Sequence, residues 1–256
     1  MIPVLRGARA AVAFLTRVPV GGHPYALAEW RWASAWFPLV GAAIGAAMSG
    51  LWSLVVPLGA PAAATIVLAL SMMITGAFHE DGLADTADAL GGATSRERIF
   101  EILKDSRVGS FGALALILSV LLRVTLLARL SSVAVRALVL SQSVARMPPV
   151  WLMVALPYVT PNETAKSGSV VRASWRQGVL ATVCTAGVAA SICVARLSTP
   201  HDAAIATCAA LVGAAICGFR FRLRAGGITG DFLGAAEQVG ECLVLISLAF
   251  SHRVAI

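Results

Sequence analysis

The chain has 256 residues, of which 58% are hydrophobic and only 13% charged, with a formal net charge of +7. A soluble domain carries about 25% charged residues; with a mean hydropathy of +0.83, this chain lacks the polar surface to coat a globule in water, and the bilayer is the solvent that tolerates the deficit. The basic excess does not signal nucleic acid, because Lys and Arg are spread through short loops between apolar segments and do not gather on one face among aromatics.

Residues 3–16 read as an amphipathic helix lying on the membrane, with Arg6 and Arg9 on one side and Val4, Leu5 and Val12 on the other. Phe14-Leu15-Thr16-Arg17 follows where a cleaved signal would have small residues, so no removed leader is expected. Apolar segments at about 34–57, 60–78, 110–130, 138–157, 178–196, 203–219 and 232–250 are each near the length of a spanning helix. With the N-terminus in the cytoplasm, seven crossings leave only Arg129, Arg136, Arg196 and Arg253 on the far side. Arg6, Arg9, Arg17, Arg31, Arg96, Arg98, Lys104, Arg107, Lys166, Arg172, Arg176, Arg220, Arg222 and Arg224 fall on the cytoplasmic side, and Arg123 and Arg146 within spans. Positive charge stays inside. The expectation is an all-α, polytopic helical bundle in a bacterial cytoplasmic (inner) membrane, with residues 1–256 forming one domain. Its connections at 79–109, 158–177 and 220–231 then face the cytoplasm. Gly41-Ala42-Ala43-Ile44-Gly45 has the small-residue spacing that lets helices approach closely in lipid. Cys184, Cys193, Cys208, Cys217 and Cys242 all lie in apolar stretches and read as packing residues.

His79-Glu80-Asp81-Gly82-Leu83-Ala84-Asp85-Thr86-Ala87-Asp88 is the densest run of acid. On a helix, Asp81, Asp85 and Asp88 at i, i+4 and i+7 share one face, with Glu80 beside them. Carboxylates about 5 Å apart repel by roughly 3 kcal/mol per pair at an effective dielectric near 20. No base stands at i±3 or i±4, so either the acids take up protons or a cation joins them. An oxygen-only ligand set suits Mg²⁺ or Mn²⁺, with phosphate and water completing the shell. The plain alternative is a solvated acidic turn at a helix end. Leu83, Ala84 and Ala87 between the acids argue instead for a packed helix, which Gly91-Gly92 would end.

A helix capped at Thr94 or Ser95 is expected next, with Lys104 and Arg107 sharing a face at i, i+3. These two either bind phosphate or anchor the helix to anionic lipid. Arg220, Arg222 and Arg224 alternate before Ala225-Gly226-Gly227-Ile228-Thr229-Gly230-Asp231. Such a loop cradles a diphosphate through backbone N–H groups, or is merely a basic loop followed by a cap. Asp231 is either a further metal ligand or that cap. Glu237 and Glu241 in the last span, like Arg123 and Arg146, cost enough in lipid to demand a bundle interior or a wet cavity; pairing among the four is the structural explanation.

Together these stretches resemble the cobalamin synthase family, the adenosylcobinamide-GDP ribazoletransferases. The matching pieces are Glu80-Asp81-Gly82-Leu83-Ala84-Asp85-Thr86-Ala87-Asp88, Lys104-Asp105-Ser106-Arg107-Val108-Gly109-Ser110-Phe111-Gly112 and Gly226-Gly227-Ile228-Thr229-Gly230-Asp231 with Leu233-Gly234-Ala235 and Glu241. Phe14-Leu15-Thr16-Arg17-Val18-Pro19 and Phe37-Pro38-Leu39-Val40-Gly41 add to it, in the family's order over nearly the whole chain. Asp88-Ala89 departs from the Asp-Gly expected there, and the stretch after Pro157-Tyr158 departs from the family pattern.

The resemblance implies Mg²⁺-dependent phosphoryl transfer between adenosylcobinamide-GDP and α-ribazole or its 5′-phosphate, with GMP leaving. Glu80, Asp81, Asp85 and Asp88, with Asp231, would hold the metal; His79 or one of the carboxylates would take the acceptor's proton. Lys104, Arg107, Arg222, Arg224, Gly226, Gly227 and Gly230 would hold the diphosphate, and a homo-oligomer is compatible with the pattern. Two other classes share features. CDP-alcohol phosphotransferases also cluster aspartates on membrane helices, but need an Asp-Gly-x-x-Ala-Arg element that Asp81-Gly82-Leu83-Ala84-Asp85 lacks. A transporter would place ionisable residues at mid-span beside broken helices.

Overall fold

The computed structural model describes residues 3–22, 24–160 and 173–252. Among them the only β-pairing is an isolated parallel bridge between Tyr158 and Ile228; the rest is helix and connection, an all-α polytopic membrane bundle. In chain order the helices are α1 (Pro3–Leu15), α2 (Leu27–Ala33), α3 (Phe37–Val55), α4 (Ala60–Thr75), α5 (Phe78–Gly92) and α6 (Arg96–Ile102). They continue with α7 (Ser110–Arg129), α8 (Ala134–Val144), α9 (Pro148–Ala155), α10 (Trp175–Val194), α11 (Pro200–Ala225) and α12 (Gly230–Ser251). Six elements are long and apolar enough to cross a bilayer: Leu27–Leu58, Ser110–Arg129, Ser131–Ala155, Trp175–Val194, Pro200–Ala225 and Gly230–Ser251. A seventh crossing forms if α4 and α5, bent by 90°, count as one broken span.

Burial sorts these spans into a centre and a rim. The most apolar stretch of Ser131–Ala155 is 89% buried and that of Gly230–Ser251 is 78% buried, against 22% for Ser110–Arg129. The α8–α9 and α12 spans therefore form the axis of the bundle, and the others turn apolar faces to lipid. The small-residue spacing in α3 does its expected work. A Cβ on Gly41 would overlap the carbonyl oxygen of Gln142, and one on Gly45 would come within 2.6 Å of that of Leu138. Only glycine admits so close an antiparallel pairing of α3 with α8. At the end of the bundle opposite α5's C-terminus, buried Arg136 is paired with Asp202 at 2.6 Å, and Thr199 and Ser251 hydrogen-bond the same carboxylate.

Three boundaries depart from expectation. The second span ends at Thr75, where Gly76 (φ 72°) and Ala77 (φ 56°) turn the chain. A non-glycine residue in the left-handed region is uncommon and marks strain at this corner. Helix α6 stops at Ile102, so Lys104 and Arg107 stand on a connecting turn and share no helical face. Helix α11 runs on to Ala225, so Arg220, Arg222 and Arg224 occupy helical turns and the loop shrinks to the residues before Gly230. An apolar helix end continues into its basic turns because Arg is a good helix former and cations suit the C-terminal dipole. The expected 158–177 loop lies largely outside the described residues, which resume at Ala173.

Candidate active site

Helix α5 carries the acid cluster as expected and ends at Gly92. It runs antiparallel beside α7. Glu80 near its start meets Arg123 deep in α7, at 3.1 Å, while Asp88 near its end accepts hydrogen bonds from the backbone N–H groups of Gly109 (2.7 Å) and Gly112 (2.9 Å) at α7's first turn. Those groups would otherwise lack partners at a helix N-terminus, where an acid is also favoured by the dipole. On its other flank Gly82 lies against the backbone of Asp231 and Gly234 in α12.

The predicted carboxylates thus divide into two sets. Glu80 and Asp88 are buried and already engaged. Asp81 is exposed, and Asp85 and Asp231 are half-buried. The negative charges of Asp81, Asp231 and Asp88 all act on Asp85, and that of Asp81 acts on Asp231. Among the described residues no ion pair reaches Asp81, Asp85 or Asp231. No group of three acids, histidines or cysteines there is gathered tightly enough to chelate a metal as it stands. Asp231 is not the cap of α12: the Thr229 hydroxyl accepts from the N–H of Phe232 and fills that role. Three mutually repelling carboxylates with no cation beside them are an oxygen-only donor set of the kind a hard divalent ion joins.

Behind this group lies a buried ionic network that ties α5, α7, α8 and α12 together. Arg123 faces both Glu80 and Glu241 (3.5 Å), and Gln142 donates to Glu241 at 2.7 Å. Arg146 pairs with Glu237 at 2.9 Å, and Nδ1 of His79 lies 3.5 Å from the other oxygen of Glu237, which also accepts from Gln238 at 3.0 Å. The four mid-span charges pair with one another and with α5, which accounts for their presence in apolar helices. Sequence reasoning missed Gln142 and Gln238, although an amide within a span is itself a sign of an internal partner.

Cations gather at the opposite, C-terminal end of α5. Asp88, Arg98, Asp105, Arg107 and Phe111 line an open cleft there, and Lys104 stands exposed beside it. Arg107 is paired with Asp105 at 2.6 Å, and its hydrogen bonds hold the Asp105 carboxyl down to about 2. Arg224 donates to the carbonyl of Ala93 at 2.7 Å, docking α11 on the α5–α6 corner, while Arg222 is exposed. Gly226 adopts φ 79° to cap α11, and a Cβ there would touch the Arg96 guanidinium at 3.0 Å. Ile228 pairs with Pro157 and Val159 through both its N–H and its carbonyl, so part of the glycine-rich turn is committed to the fold. Gly230 begins α12 in open space.

The family model described as cobalamin-5-phosphate synthase matches residues 7–249. The chain is 42% identical over 246 residues to an adenosylcobinamide-GDP ribazoletransferase of Leptothrix cholodnii, covering 90% of each chain. It is 35% identical to the protein of that name from Polaromonas naphthalenivorans, covering 98% of this chain and 100% of the relative. With that of Shewanella amazonensis it shares 38% identity over 93% and 92% of the two chains. No solved structure matches.

Proposed function

Because the chain belongs to the cobalamin-5-phosphate synthase family of membrane enzymes, we propose that it joins adenosylcobinamide-GDP to α-ribazole or α-ribazole 5′-phosphate. GMP is released, and adenosylcobalamin or its 5′-phosphate is formed, the last assembly step of the cobalamin nucleotide loop. The acceptor's hydroxyl oxygen forms a bond to the phosphorus attached to cobinamide, the bond from that phosphorus to the GMP oxygen breaks, and the hydroxyl proton passes to a base of the site. His79 or a carboxylate of α5 is that base. The observation that carries the reading is the meeting of Asp81, Asp85 and Asp231 where α5 packs on α12 at Gly82, with Arg98 and Arg107 in the cleft at the C-terminal end of α5.

Phosphoryl transfer asks a protein for position and charge neutralisation more than for covalent chemistry. Asp81, Asp85 and Asp231 would hold Mg²⁺, or Mn²⁺ in its place, which supplies neutralisation of the phosphate oxygens. Glu80 and Asp88, expected from sequence to join this set, hold α5 in place through Arg123 and through the first turn of α7. Lys104 and Arg107 receive the diphosphate with Arg222, and Gly226, Gly227 and Gly230 shape the turn beside them. The site faces the cytoplasm of a bacterial inner membrane. The test is purified protein in detergent with adenosylcobinamide-GDP, α-ribazole and Mg²⁺: GMP release that depends on the acceptor is expected. Acceptor-independent release, or none, would end the proposal.

A further inference from the structure

The two ends of α5 have different neighbourhoods. Cations surround its C-terminal end, whereas its N-terminal end opens on a narrow cavity that shares only Gly230 with the proposed phosphate contacts. Phe14 from α1, Phe37 from α3 and Phe78 from α5 line this cavity together with Met153 and Leu233. Phe14 stacks parallel to Phe37 with ring centroids 5.7 Å apart, and Phe78 meets Phe14 edge-on at 5.3 Å. The floor is polar. His79, Arg146 and Glu237 close it; they are 6%, 3% and 2% exposed and joined by the ion pairs already described. Nε of Arg146 is buried there without a hydrogen-bond partner.

Aromatic walls over a single polar end suit a flat ring system with apolar faces and one hydrogen-bonding edge. Guanine, with polar atoms around most of its perimeter, fits poorly, since apolar walls would leave several of them unpaired. Direction along α5 separates the two substrates as well. The order is cavity at Phe78 and His79, carboxylates at Asp81 and Asp85, then cations beyond Asp88. Attacking and leaving oxygens must stand roughly in line on opposite sides of the phosphorus. With the leaving nucleotide's phosphate at the cationic end, the acceptor arrives from the cavity end.

We propose that this cavity is the subsite for the planar nitrogen-heterocyclic base of the nucleoside acceptor, with Phe14, Phe37 and Phe78 as its specificity-determining walls. The inference rests on the phosphoryl-transfer reading above. Calorimetric titration of the detergent-purified protein with α-ribazole, and separately with GMP, tests it in the wild type and two variants. Phe78→Ala removes a half-exposed wall, and Leu233→Trp fills the space. Each variant is expected to weaken α-ribazole at least tenfold while leaving GMP within twofold, and to raise the acceptor KM without moving that of adenosylcobinamide-GDP. Unchanged α-ribazole affinity in both variants, or a parallel loss of GMP, overturns the subsite. If instead the cavity variants weaken α-ribazole as expected and the wild type releases no GMP, the subsite stands and the phosphoryl-transfer reading falls.

Discussion

A guanidinium in the middle of a span survives only where its charge is matched. Arg123 is 1% exposed and sits between Glu80 and Glu241. Removing one partner of a buried pair leaves the other charge stranded, at about 3–5 kcal/mol. Arg123→Ala is therefore expected to lower the melting temperature in detergent markedly, whereas Glu80→Gln, which keeps a hydrogen-bond acceptor for the same arginine, costs less; equal losses would show that the pair is not what holds α5. Asp85→Ala should behave in the opposite way. It relieves repulsion from Asp81 and Asp231, so thermal stability should be kept or raised while acceptor-dependent GMP release falls at least a hundredfold. Near-normal turnover at saturating Mg²⁺ would remove Asp85 from the metal set. The helical spacing of the acids was legible from residues alone. The split between engaged Glu80 and Asp88 and unpaired Asp81 and Asp85 was not, because it depends on partners 21 to 43 positions away.

Among the elements, the spans were readable because their lengths follow from bilayer thickness, and the amphipathic α1 because its charges fall on one side. Errors came where local pattern gave way to tertiary contact. The turn at Gly76 and Ala77 is fixed partly by Arg17, whose N–H donates to the carbonyl of Ile74 at 2.8 Å, a contact no window of sequence contains. Broken helices with ionisable residues at the break are also what a transporter uses. That feature is present here, and the ribazoletransferase relatives are what assign the family. The close pairing of α3 with α8 makes a sharp demand. Gly41→Val would drive a branched side chain into the backbone of Gln142; beyond the usual 1–3 kcal/mol for overpacking, it should displace Arg146 from Glu237. Loss of both folded yield and activity is expected, and a fully stable Gly41→Val protein would mean the helices are farther apart.

For the molecule as a whole, the bundle places Asp231, the acids of α5, Lys104 and Arg107 at one end and the Arg136–Asp202 pair at the other. On the proposed topology, which follows the distribution of Lys and Arg, the first end faces the cytoplasm. A cysteine placed at Ser106 should then react with an impermeant maleimide in inside-out vesicles and resist it in intact spheroplasts, while one at His201 does the reverse. The opposite pattern would put the proposed chemistry on the wrong side of the membrane for a nucleotide substrate. The bend between α4 and α5 also bears on how the protein is made. Alone, α5 is too acidic to rest in lipid; its Glu80 and Asp88 find their partners in Arg123 and the first turn of α7, whereas Asp231, beside Asp85, and Glu237, beside His79, arrive only with α12. Helix α5 can therefore dock once α7 is in place, but the proposed metal set of Asp81, Asp85 and Asp231 is completed only by the last helix, so its assembly waits on the completion of membrane insertion.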